Sequence, residues 1–134
     1  MYITPSLLST QDWDVLADTA KWSRANAAVL KDSHWIGGDP ARLEAYGWAA
    51  WSPDKAIVTL RNPSDKPQDF TASLATLLEL PADAAHVFAL RTPWKDDKSD
   101  SAKLPVSLRA DEQHVHHLQP FQVLTLELVP EHTR

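Results

Sequence analysis

The chain has 134 residues, 43% hydrophobic and 23% charged, with a formal net charge of −5. That length suits one domain with its own core, and the dispersed, mildly acidic charge excludes the basic footprint of a nucleic-acid binder. Cysteine is absent, which excludes disulfides, thiolate nucleophiles and thiolate metal sites together. No apolar run approaches the roughly 20 residues that span a bilayer, so no membrane partner is implied.

The N-terminus, Met1-Tyr2-Ile3-Thr4-Pro5, has neither the basic region nor the apolar core of a signal peptide. If a longer parent is exported, its signal lies upstream. Ser9 to Leu30 reads as a helix, with Ser9 as N-cap and Asp12 as a shorter-armed capping-box partner. Trp13, Leu16, Ala20, Ser23, Ala27 and Leu30 form one stripe, and Val15, Trp22 and Val29 an adjacent one. A face that wide suits two neighbours. The helix either covers a sheet of its own domain or belongs to an upstream domain.

Beyond Asp32 the period changes to two. Gly37-Gly38-Asp39-Pro40 marks a turn. Tyr46 to Ser52 and Lys55 to Arg61 form a hairpin across Ser52-Pro53-Asp54, with Ile57 and Thr59 on one face and Ala56, Val58 and Leu60 on the other. The prolines of Asn62-Pro63-Ser64-Asp65-Lys66-Pro67 end that pair. Gln68 to Ser73 is the next strand, anchored by Phe70. Leu74 to Leu80 fits a strand or a short helical turn. His86 to Thr92 is a strand, and Pro93 to Lys103 a long loop whose one large apolar residue is Trp94. Leu104, Val106 and Leu108 alternate as a strand, His114, His116 and Leu118 more weakly. Phe121 to Val129 closes the chain with Leu124, Leu126 and Leu128 inward. The fold class is mainly β: a Greek-key antiparallel β-sandwich of seven or eight strands (33–134) preceded by one amphipathic helix (1–32). A single helix heading an all-β module suits a piece of something larger.

No catalytic site assembles from these residues. Asp12, Asp14, Asp39, Glu44 and Asp69 sit in caps, turns and edges rather than as a carboxylate pair. No Ser occupies a Gly-flanked nucleophile elbow, and Gly37-Gly38 lacks a phosphate-cradling pattern. His114 and His116 share a strand face, with Glu112 the nearest third donor, yet two imidazoles without a defined third ligand read as a solvated strand end. No metal or cofactor is assigned. The six tryptophans are the compositional excess. Trp rings fill cores and seams, or stack on sugars where exposed. The candidate carbohydrate-binding residues are Trp48, Trp51 and Trp94, the last either a platform in its charged loop or a ring folded back as a lid.

The series Trp13, Leu16, Trp22, Asn26, Leu30, His34-Trp35-Ile36-Gly37-Gly38-Asp39-Pro40, Tyr46-Gly47-Trp48 and Leu60-Arg61-Asn62-Pro63-Ser64 resembles the C-terminal part of a bacterial family. Leu118-Gln119-Pro120-Phe121-Gln122-Val123-Leu124 resembles its last strand. The family is one of glycoside hydrolase-like proteins similar to the α-galactosidase clan, some labelled enterotoxins. The resemblance implies that Ser9–Leu30 is the last helix of a TIM barrel lying upstream and that the sandwich follows it. It carries over no catalytic residue, since the strands bearing the family's two aspartates would precede Met1. The expected function is a non-catalytic accessory domain of a carbohydrate-active enzyme, partnered by that barrel and prone to self-association in isolation. The alternative is a stand-alone carbohydrate-binding module.

Overall fold

A computed structural model describes residues 4–94 and 106–131. After a single 3₁₀ turn, helix α1 runs Thr10–Ala25 and a last turn, α2, Ala27–Leu30. Ser9 and Asp12 form the expected capping box: the Asp12 N–H donates to Ser9 Oγ at 3.2 Å and the Ser9 N–H to Asp12 Oδ2 at 2.8 Å. Hydrogen bonds from the Ser9 side chain and then its backbone hold the Asp12 carboxyl below the usual range. The helix is interrupted at Asn26, whose backbone leaves helical geometry (φ −105°, ψ 9°).

Eight strands follow: β1 His34–Gly37, β2 Tyr46–Ser52, β3 Lys55–Arg61, β4 Gln68–Ser73, β5 Val87–Arg91, β6 Ser107–Arg109, β7 Gln113–Leu118 and β8 Val123–Pro130. Six make one antiparallel sheet in the order β1-β2-β3-β8-β5-β6, and β4 pairs with β7 in the other. The last strand thus inserts between β3 and β5, a sandwich topology no local pairing could produce. The ambiguous Leu74–Leu80 segment resolves as one helical turn, α3 (Leu74–Leu77), because the Ser73 hydroxyl accepts from the Thr76 N–H and caps it.

Alternation decides which side chains meet. Ala49, Val58, Leu60, Phe88, Leu108, Leu124, Leu126 and Leu128 point inward and join Leu118 of β7 and Leu74 of α3 in the main core. The β2–β3 hairpin keeps the expected bounds and register, from Tyr46↔Arg61 to Ser52↔Lys55. Gly47 allows it: a Cβ there would lie 1.8 Å from the Thr59 carbonyl oxygen. Gly37 closes β1 at φ +87°, where a Cβ would meet backbone of Ala45 and Tyr46 and the Phe70 ring.

Three expectations shift. Val106 is not an inward strand residue: it is 83% exposed and precedes β6, although its carbonyl accepts from the Leu90 N–H. Phe121 and Gln122 lie before the last strand rather than in it, with Phe121 at φ 59° in an exposed turn. The helix stripe is also not buried along its length, and α1 contributes no buried residue at all. The expected loop Pro93–Lys103 falls outside the described residues beyond Trp94.

Candidate functional site

The outer face of the six-stranded sheet carries two zones. Antiparallel register puts Trp35, Trp48, Thr59 and Thr125 in one row and Tyr46, Arg61 and Val123 in the next. A further row holds Ala50, Ile57, Glu127 and Arg91. Paired residues of an antiparallel sheet share a face, so these rows form one surface.

The third row is covered. Val29 of α2, with Trp22 and Leu30 beside it, packs on Ala50 and Ile57 to make a second small core. Four polar groups close a circuit around it. Glu127 Oε1 accepts from the Trp22 indole N–H at 2.6 Å and pairs with Lys55 Nζ at 3.0 Å. Lys55 Nζ also donates to Asn26 Oδ1 at 2.6 Å, and Asn26 Nδ2 donates back to the Trp22 carbonyl at 2.8 Å. The second carboxylate oxygen, Oε2, accepts from Arg91 Nε at 2.6 Å. Burial alone would raise the Glu127 pKa, but the hydrogen bonds from Trp22, Lys55 and Arg91 outweigh it and leave the group below the usual Glu range.

In the first two rows Trp35, Trp48 and Val123 are exposed, while Tyr46 and Thr125 are buried beneath their neighbours. Trp35 stacks on Tyr46 with centroids 4.8 Å apart and planes at 7°, while Trp48 meets both edgewise at 5.3 and 5.6 Å. The Tyr46 hydroxyl accepts from Arg61 Nη1 at 3.2 Å. Trp35 is 48% exposed, Trp48 44% and Val123 57%. Trp13 and Val15 on α1 are exposed as well. Trp35, Tyr46 and Trp48 touch one another and so form one aromatic patch on this sheet face.

The three candidate tryptophans therefore occupy unlike settings. Trp48 belongs to the exposed outer-face cluster. Trp94 is half-buried and folded back against Trp22, with centroids 5.3 Å apart. Trp51 has the opposite phase: it packs on the edge of the main core and lines an open cleft of about 350 Å³ with Pro53, Pro81, Asp83, Ala84, Ala85 and Pro130. Sequence reasoning passed over Trp35 and Glu127 as site residues. The signals were there: Glu127 is the one charged residue of β8, and Trp35 precedes the glycine turn that folds β1 onto β2.

The histidine row takes separate partners. His114 Nε2 donates to the Arg109 carbonyl at 2.7 Å, and His117 Nδ1 meets Asp69 Oδ1 at 2.6 Å. His116 is buried, and burial followed by the neighbouring His114 and His117 keeps its pKa low. Glu112 pairs with Arg109 at 3.1 Å. Among the described residues no group of three or more potential metal ligands converges.

No known protein-family model matches the chain, and no curated protein matches it. Among solved structures, its fold is similar to part of a putative alpha-N-acetylgalactosaminidase from Bacillus halodurans C-125. The TM-score is 0.54 at 21% identity, over 75% of this chain and 21% of that one. The chain thus spans about a fifth of that protein's length, and the likeness is one of fold.

Proposed function

We propose that the chain serves as a non-catalytic accessory domain of a carbohydrate-active protein, seated against a catalytic barrel of the same parent. The observation that carries this reading is the pairing of an aromatic sheet face, on which Trp35 and Trp48 are exposed, with a helix α1 that has no fully buried residue and leaves Trp13 and Val15 exposed. The last turn of that helix is anchored to the sheet through Val29 and the Glu127 circuit, while its first turns lead away with Trp13 and Val15 bare. An element held at one end and bare at the other suits the junction between two packed bodies. Here Ser9–Leu30 would be the last barrel helix and residues 33–134 the sandwich behind it. The fold's likeness to a fifth of a longer glycosidase supports the same arrangement, as does the resemblance of the helix, turn and hairpin residues to α-galactosidase-like proteins. In this reading the domain stabilises the barrel, and the carboxylates that cleave the glycoside lie outside it.

Sedimentation equilibrium of the isolated chain tests the proposal. The expected result is reversible self-association, with binding of an apolar dye, and loss of both in Trp35→Ser/Trp48→Ser, which removes aromatic area outside the main core. A strictly monomeric chain that binds no dye overturns the docking reading. Reading the gene upstream of the Met1 codon is the complementary check: an in-frame barrel is the expected finding.

A further inference from the structure

We propose that the cleft over Trp51 is a binding subsite for a single neutral sugar ring. This inference does not rest on the docking reading, because Trp51 belongs to the phase of β2 opposite to Trp48 and so lies off the proposed docking face.

The cleft is built from four kinds of group, each matching one property of a pyranose. Trp51 supplies the flat apolar surface: its ring is held from behind by the main core, so it is half-buried and fixed in orientation. A pyranose presents a patch of C–H bonds on one face, and such a patch packs on the electron-rich face of an indole. Pro53, Pro81 and Pro130 are part of the lining. Proline has its φ locked, so these walls lose little freedom when a ligand arrives, which favours weak, small ligands. Ala84 and Ala85 are short enough to leave the space open. Among the described residues Asp83 is the one charged residue in the lining, a carboxylate that accepts hydrogen bonds from hydroxyls and donates none.

Size and charge then narrow the ligand class. About 350 Å³ sits at the lower end of known small-molecule pockets, room for one ring rather than a chain. Asp83 is the one charged group among the described residues that line the cleft, so phosphate esters and sugar acids meet repulsion there with no lining cation to offset it. An indole and a single carboxylate in one lining fit a molecule with one apolar face and hydroxyls on its edge. Of the three candidate tryptophans, Trp51 is the one with this surrounding; Trp48 is flanked by Trp35 and Tyr46, and Trp94 is engaged with Trp22.

The test is an NMR titration of the whole chain with methyl α-glucoside, methyl α-galactoside and methyl α-mannoside, with glucuronate as the anionic control. The expected result is a saturable shift of the Trp51 indole N–H and the Ala84 and Ala85 amides, with a Kd on the order of millimolar for at least one glycoside. Glucuronate should bind at least about fivefold more weakly. Ala84→Met fills the cleft while keeping Trp51 in the chain and should weaken binding by about tenfold or more. Asp83→Asn should relieve the discrimination against glucuronate. Trp51→Leu gives a parallel loss, and Ala84→Met keeps the test valid should that variant fold poorly. No saturable shift at about 100 mM glycoside, or saturable shifts confined to Trp35 and Trp48, overturns the proposal. So does binding that Ala84→Met leaves unchanged.

Discussion

The indole N–H of Trp22 donates to the Glu127 carboxylate at 2.6 Å, a contact between residues 105 positions apart. It ties the end of α1 to the strand at the centre of the larger sheet. Because Lys55 and Asn26 complete the circuit back to the Trp22 carbonyl, the helix end is fixed in both direction and rotation. Trp22→Phe keeps most of the apolar area but removes the donor. A hydrogen bond to a charged group contributes about 1.5–3 kcal/mol, so the variant should lose about 2 kcal/mol. Urea unfolding checks this: the midpoint should fall with an unchanged slope.

Glu127 also predicts how stability depends on pH. Its carboxyl titrates lower in the folded protein than in the unfolded chain. A depressed carboxylate stabilises the fold above its unfolded pKa, and that contribution disappears as pH falls through the folded value. The stabilisation should be complete above about pH 5 and decline at more acid pH, below the ordinary Glu value of about 4.3. Glu127→Gln should lower stability at pH 7 and flatten the acid limb. Unfolding midpoints of the two proteins, followed from neutral to acid pH, should therefore converge.

The elements legible in the sequence are those specified by neighbours. The Ser9 cap, the hairpin between Tyr46 and Arg61 and the inward leucines of β8 follow from spacing and turn chemistry. What distant residues decide was not legible. The helix stripe from Trp13 to Leu30 has the right period along its length, yet only its last turns meet the sheet, since hydropathy records that a face is apolar and not what it touches. Phe121 alternates like a strand residue but turns at positive φ, where its N–H donates to the Ser64 carbonyl. For the candidate site, the rings were visible as a tryptophan excess. Their sorting into outer face, cleft and helix contact required the β1–β2 register and the insertion of β8.

Asn62 supplies a second case of long-range specification. It is fully buried, and its Nδ2 donates to the carbonyls of Lys66 and Gln119 at 2.7 and 3.0 Å, with Leu118 further off at 3.4 Å. Its Oδ1 accepts from the Ser64 N–H at 2.9 Å and Gln68 Nε2 at 2.8 Å. One amide therefore joins the exit of β3, the entry of β4 and the end of β7. Asn62→Ala strands these groups without water, at about 1–3 kcal/mol for each one left unsatisfied. The expected loss is about 3 kcal/mol or more, read as a drop in thermal midpoint with exposure of apolar dye sites. Asn62→Asp should be comparably damaging, because its carboxylate would face carbonyl oxygens.

The helix start should behave oppositely. Ser9→Ala removes a cap whose loss costs about 1 kcal/mol of helix stability. Whether that cost reaches the whole protein depends on coupling, and α1 contributes no buried residue. The first turns can therefore open without disturbing the sheet, as elements with few buried contacts do. Circular dichroism should show reduced helicity and hydrogen exchange should quicken over the first turns of α1. The unfolding free energy from urea titration should stay within about 0.5 kcal/mol of the parent. A drop of the full cap energy in the global transition would instead mean that Trp13 and Val15 are already packed in solution. In a parent protein with a barrel seated on that face, the same substitution should lower global stability, because the bare end of the helix would then be part of a cooperative core.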